Sequence, residues 1–157
     1  MTEYKELLHT LLEQETNLEF SQFTNEDALQ LGLLILSKAK ALNSKPVVID
    51  ISRNGQQLFH FAMNGTSIDN AEWIQRKIRT VQRFGHSSFY IGQYIGSQGK
   101  TVEQKYFVSE KEYAVHGGAF PLIIKNVGIV GTIAVSGLAQ QDDHQIIVDS
   151  IQEYLKA

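Results

Sequence analysis

The chain has 157 residues, 43% of them hydrophobic, with a formal charge of −3 and no cysteine. That length suits one globular domain over residues 1–157, and the lack of cysteine excludes disulfides, thiolate metal sites, iron–sulfur clusters and a cysteine nucleophile. The mild acidity argues against nucleic-acid binding driven by phosphate neutralisation, and a charged N-terminus with no apolar run of about 18 residues argues against a signal peptide or membrane span, so a soluble cytoplasmic protein is expected.

Residues 3–14 place Tyr4, Leu7, Leu8, Leu11 and Leu12 at helical spacing. A second helix is expected from Thr24, an N-cap with Asp27 three residues on, and carries Ala28, Leu31, Leu34, Ile35 and Leu42 on a stripe widened by Leu29, Leu33 and Leu36. So apolar a helix needs cover from the sheet and from another helix or subunit. Pro46 ends it. VVIDIS and QQLFHFAM then flank Arg53-Asn54-Gly55, the signature of a tight hairpin. Ser67 caps a helix through IDNAEWIQRKIRTVQRF that stops at Gly85, and Ser87 or Ser88 starts a shorter one over FYIGQYI. IGSQGKTVEQ reads as a loop and KYFV as a short strand. Phe120–Lys125 and Gly128–Ser136 form a hairpin about Asn126-Val127. Asp142-Asp143-His144-Gln145 opens the last helix with an Asp cap and carries Ile146, Ile147, Ile151, Tyr154 and Leu155. Hairpins in place of βαβ crossovers predict an α+β fold with helices on an antiparallel sheet.

The glycine run HGGAFP, residues 116–121, has two readings. It can turn its N–H groups toward an oxyanion, as a glycine loop does in esterases, or simply make a corner with Pro121 entering an edge strand. The esterase reading lacks a nucleophile, because the serine after a candidate strand stands in AVSGL and not in G-x-S-x-G. The five histidines, at 9, 60, 86, 116 and 144, form no compact zinc pattern. His9 is expected on the surface and His60 partly buried with its hydrogen bond satisfied. His86, His116 and His144 stand in loops or at a helix start, where binding side chains concentrate. Arg76, Arg79 and Arg83 share a helix face, which is either solvated beside Glu72 or a clamp for a ligand's carboxylates. Ser136, Asp142 and Asp143 admit capping chemistry, favoured for Asp142, or a pocket rim where strand passes to helix.

RKIRTVQRFGHSS at 76–88, HGGAFPLIIKNVGIVGTIAVSGL at 116–138 and DDH at 142–144 together resemble the haem-degrading domain family, whose members include the glycolate-operon G protein, an extracellular haem-binding protein and the C-terminal domain of some corrinoid adenosyltransferases. The likeness is to its small cytosolic branch in bacteria and yeast. It implies a profilin-like, three-layer α/β/α fold with about five antiparallel strands, and homo-oligomers built from dimers. His116, Gly117, Gly118, Phe120 and Pro121 match the glycine-loop motif, Ser136, Gly137 and Leu138 the strand-end motif, and Asp143 and His144 the acidic-His signature. Members outside this branch often lack a histidine before the paired glycines. The expected ligand-binding set is therefore His116, Gly117, Gly118, Phe120, Ser136, Gly137, Asp143, His144, Arg76 and Arg79, with haem or another anionic tetrapyrrole-like molecule as ligand. An adaptor oligomer presenting surfaces to protein partners and a haem-degrading or other redox enzyme are the alternatives.

Overall fold

The computed structural model describes residues 2–157. The elements run α1 (Thr2–Asn17), α2 (Asn25–Leu42), β1 (Val48–Arg53), β2 (Gln56–Ala62), α3 (Ile68–Phe84), α4 (Ser88–Ser97), α5 (Val102–Tyr106), β3 (Ala119–Ile124), β4 (Gly128–Ser136) and α6 (Gln140–Lys156). The four strands form one antiparallel sheet in the order β2-β1-β4-β3.

Local chemistry explains most of these boundaries. Thr24 caps α2 reciprocally with Asp27, whose backbone N–H donates to the Thr24 hydroxyl while its carboxylate accepts from the Thr24 N–H at 2.7 Å. The first hairpin turns on Asn54 and Gly55 and the second on Asn126, all with positive φ. Gly85 closes α3 at φ 74°.

Alternation along the strands sorts side chains into two layers. Ile49, Ile51, Phe120, Leu122, Ile133 and Val135 meet Leu31 and Ile35 of α2 and Ile147 and Ile151 of α6. Val48, Ala119 and Ala134 meet Ile74, Ile78 and Val81 of α3 on the other face. The two alanines leave α3 room to lie close to the sheet.

Three expectations are corrected. The sheet has four strands rather than about five, because residues 105–108 are not a strand. Thr101 and Gln104 form a capping box that starts α5, and the chain leaves that helix at Phe107 in the left-handed region. The signal, Thr-x-x-Gln, stands in the sequence. Along β3, Phe20 supplies only an isolated bridge to Ile124. The cap of α6 is Ala139 and not Asp142, so both aspartates lie in the first turn. On α2 the sheet and α6 supply the expected cover, but Leu29, Leu33 and Leu42, counted in its apolar stripe, remain exposed. No helix among the described residues is long and apolar enough to cross a membrane.

Candidate functional site

The C-terminal end of β4, the loop entering β3 and the first turn of α6 converge beside α3. Gly137 turns the chain at φ 149°, and a Cβ there would collide with the Pro46 carbonyl oxygen. Gly117 and Gly118, joined by a cis peptide, lie against the backbone of α6 so closely that a Cβ on Gly118 would stand 2.5 Å from the Asp143 carbonyl oxygen. The glycine run is therefore a corner packed onto a helix.

Asp143 fastens this corner from the inside. Its carboxylate accepts the N–H groups of Leu138 at 2.9 Å and Gly137 at 3.3 Å, and Nζ of Lys77 lies 3.4 Å away. Lys77 also donates to the Val135 carbonyl at 3.3 Å. Lys77 stands in sequence between cations of α3, yet it is 3% exposed and Asp143 2%. Burial pushes Asp143 up to about 6, against the attraction of Lys77 and the backbone N–H groups that favour its charged form. Burial likewise pushes Lys77 down, with Asp143 opposing.

Two cavities flank the corner and share Trp73, His116 and Gln140. The larger, about 550 Å³, lies between α3, the α4–α5 region and residues 110–116, and carries Arg76, Lys100 and Lys111 against the single acid Glu110. The smaller, about 320 Å³, is lined by Lys77, Asp143, Ser136, Gly137, Gly117 and Asn70 among others. The Trp73 and His116 rings meet edge-on at 5.8 Å, and the Arg76 guanidinium stacks 3.9 Å above the indole. Partial desolvation lowers the His116 pKa, and the charges of Lys77 and Arg76 act in the same direction, while a hydrogen bond with Gln140 opposes them. Its imidazole is accordingly neutral at physiological pH.

Of the residues expected to bind a ligand, His116, Gly117, Ser136, Gly137, Asp143 and Arg76 line one or both cavities. Gly118, Phe120, His144 and Arg79 line neither. Phe120 is in the core on the α2 side, and Arg79 donates to the Glu112 carbonyl at 3.2 Å, tying down the wall of the larger cavity. Arg83 reaches the Tyr113 hydroxyl at 3.5 Å, so the three arginines do not form one clamp. Lys100, Lys111 and Trp73 were absent from the sequence reading because their convergence depends on the α4–α5 layout. His86 is paired with Glu15 at 2.8 Å, which raises its pKa. His60 is exposed and bonded to Asp50 at 3.1 Å, so it is less buried than expected.

His144 is 1% exposed, with Nε2 on Gln14 Oε1 at 2.7 Å, Nδ1 without a partner, and the rings of Phe89 and Phe120 packed near it. Burial drives its pKa down to about 4. The folded value lies below the unfolded one, so His144 contributes stability above about pH 6.5 that is lost as pH falls toward 4. Asp143 has the opposite sign: its raised value favours the folded state below about pH 4, and that contribution is lost as pH rises through 6. Each is worth about 3 kcal/mol, and they oppose one another in the same window. The advantage of wild type over His144→Gln in urea unfolding is expected to shrink by about 3 kcal/mol between pH 7 and pH 4; an unchanged difference would remove this role.

Residues 23–152 match the family described as Haem degrading protein HbpS-like. The chain belongs to that family. Proteins with similar sequences include a UPF0303 protein of Psychromonas ingrahamii, 45% identical over 150 residues, covering 96% of this chain and 94% of its own, and one of Schizosaccharomyces pombe, 43% identical over 152 residues, covering 96% and 85%. The crystal structure of Ybr137w superposes with a TM-score of 0.88 at 41% identity, over 95% of this chain and 87% of the other. A crystal structure of a PduOC–haem complex shares the fold, with a TM-score of 0.68 at 19% identity, over 83% of this chain and 93% of the other.

Proposed function

We propose that this chain binds an anionic, haem-type small molecule in the 550 Å³ cavity. The observation that carries the reading is the lining: Arg76, Lys100 and Lys111 gather on a wall whose other features are the Trp73 indole, the His116 imidazole and the apolar Ile95, Val102 and Val115. The cavity size is within the range of ligand pockets, roughly 300–1,000 Å³. Haem is the group the family implies, and these residues suit it. The cations match its propionates, the aromatic and aliphatic wall matches the macrocycle, and His116 offers the nitrogen type that ligates haem iron. Gly117, Ser136, Gly137 and Asp143 stand at the adjoining edge, Gly118 packs against the Asp143 and His144 backbone beside it, Phe120 lies in the core, and Arg79 holds the Glu112 carbonyl at the wall of the larger cavity. The haem named in the PduOC complex points the same way.

Haem titrated into the purified protein is expected to give a saturable Soret change. Replacing Arg76, Lys100 and Lys111 together with glutamine should weaken binding by about ten- to a hundredfold, since each exposed ionic contact is worth up to about 1 kcal/mol. Unchanged affinity in the triple variant would place the ligand elsewhere. Multiple turnovers to one product in the presence of reductant would move the reading from carrier to haem-degrading enzyme.

The architecture, with helices on both faces of an antiparallel sheet, supports a profilin-like assignment, and the chain is read as cytoplasmic. Exposed Leu29, Leu33 and Phe61 on the α2 side support a homo-oligomer built from dimers, or an adaptor surface for a protein partner. Light scattering on the same sample separates the oligomer from a monomer.

A further inference from the structure

We propose that Lys77 is the nucleophilic amine of a second site, forming a reversible imine with a short, uncharged, hydroxylated aldehyde or ketone in the 320 Å³ cleft. The cleft adjoins the larger cavity and shares Trp73, His116 and Gln140 with it, but Lys77 and Asp143 line the smaller one alone.

The geometry has three parts. Lys77 lines the cleft although it is almost entirely buried, beside the Asp143 carboxylate that lines it too. Its two contacts, 3.3 Å to the Val135 carbonyl and 3.4 Å to Asp143, are long beside the roughly 2.7–2.9 Å of a tight ionic hydrogen bond. The amine is thus held in place without being locked to its partner. Asp143 is fixed independently by the N–H groups of Gly137 and Leu138 and stands as a stationary proton acceptor.

The lining defines the substrate class. Asn70, Ser136 and Gln140 offer neutral hydrogen-bonding groups suited to hydroxyls, and Trp73 provides an apolar wall. Lys77 is the one Lys or Arg in the lining, whereas Asp69 and Asp143 supply two carboxylates, so an anionic carbonyl compound is disfavoured.

The step balances without a co-reactant. A proton passes from the Lys77 ammonium to Asp143, and the neutral amine adds to the carbonyl carbon. A C–N bond forms and the carbonyl oxygen takes up a proton to become a hydroxyl. Return of a proton from Asp143 lets that hydroxyl leave as water, and the product is the protonated imine. Burial favours the neutral form of each partner, which brings amine and carboxyl nearer to one another in proton affinity. The charged and titratable groups around Lys77 are Asp143, Asp69, Arg76 and His116.

The test uses the full chain with glyceraldehyde and cyanoborohydride, followed by peptide mass mapping. Lys77 is expected to be reductively alkylated about tenfold faster than the exposed lysines near pH 7, with saturation in glyceraldehyde, since burial lowers its pKa below theirs. Lys77→Arg, which keeps the charge opposite Asp143, should lose the fast phase. Alkylation confined to exposed lysines in the folded wild-type protein, with Lys77 reacting only after unfolding in urea, would overturn the proposal.

Discussion

Replacing Lys77 with methionine is expected to destabilise the protein by about 3–5 kcal/mol near neutral pH, because it leaves the Asp143 carboxylate buried and without its cation. The cost should be smaller near pH 5. Without Lys77 the Asp143 pKa rises further above its unfolded value, so protonation relieves the folded state as pH falls, and the penalty returns as pH rises through the new folded value. Adding Asp143→Asn to Lys77→Met should recover part of the loss, since the asparagine oxygen can still accept from Leu138 N–H while no buried charge remains. Urea unfolding of wild type, both single variants and the double variant at pH 5 and 7.5 measures this coupling. A Lys77→Met cost below about 1 kcal/mol, equal at the two pH values, would mean that the pair is not charged in the folded protein.

Alanine at Gly118 should be at least as damaging, costing about 3 kcal/mol or more, or preventing folding. The added Cβ would stand 2.5 Å from the Asp143 carbonyl oxygen, 2.6 Å from its carbon and 2.8 Å from the His144 nitrogen. All three are backbone atoms of the first turn of α6 and cannot swing aside as a side-chain tip does. Relief requires α6 to lift from the corner, which would loosen the Asp143 hydrogen bonds to Gly137 and Leu138. Gly96 is the control, since its Cβ would approach nothing closer than the Tyr4 hydroxyl at 3.5 Å. Alanine there, within α4, should be neutral or stabilising by about 0.5–1 kcal/mol. Thermal melts of both variants test the contrast, and a Gly118→Ala protein that melts with wild type would refute the close packing.

Both predictions concern the corner that HGGAFP makes, and the pattern itself said only that a corner was there. The glycines were legible as residues needed for a close approach, but the surface they approach lies more than twenty positions away in the chain. Asp143 was legible as a polar residue at a helix start, and its role in holding the end of β4 was not. Lys77 was the larger omission. Between Arg76 and Arg79 it looks like one more surface cation, yet the helical rotation that brings Ile74 and Ile78 to the sheet brings Lys77 with them.

What the sequence determined by itself is local, because the forces concerned act within a few residues. Thr24 and Asp27 start α2, Asn54-Gly55 and Asn126 turn the hairpins, Gly85 ends α3, and period-two alternation sorts β1 and β4 between two helical layers. The Thr101–Gln104 box is of the same kind, a short-range signal that outweighs the strand propensity of KYFV. The tertiary structure decided what depends on distant surfaces meeting. It buried Lys77 against Asp143, withdrew Phe120 and His144 into the core, drew Arg79 onto the 112 carbonyl, and gathered Arg76, Lys100 and Lys111 around one cavity. Desolvation sets the proton affinities of Asp143 and His144, and it arises only when the sheet, α3 and α6 close over them.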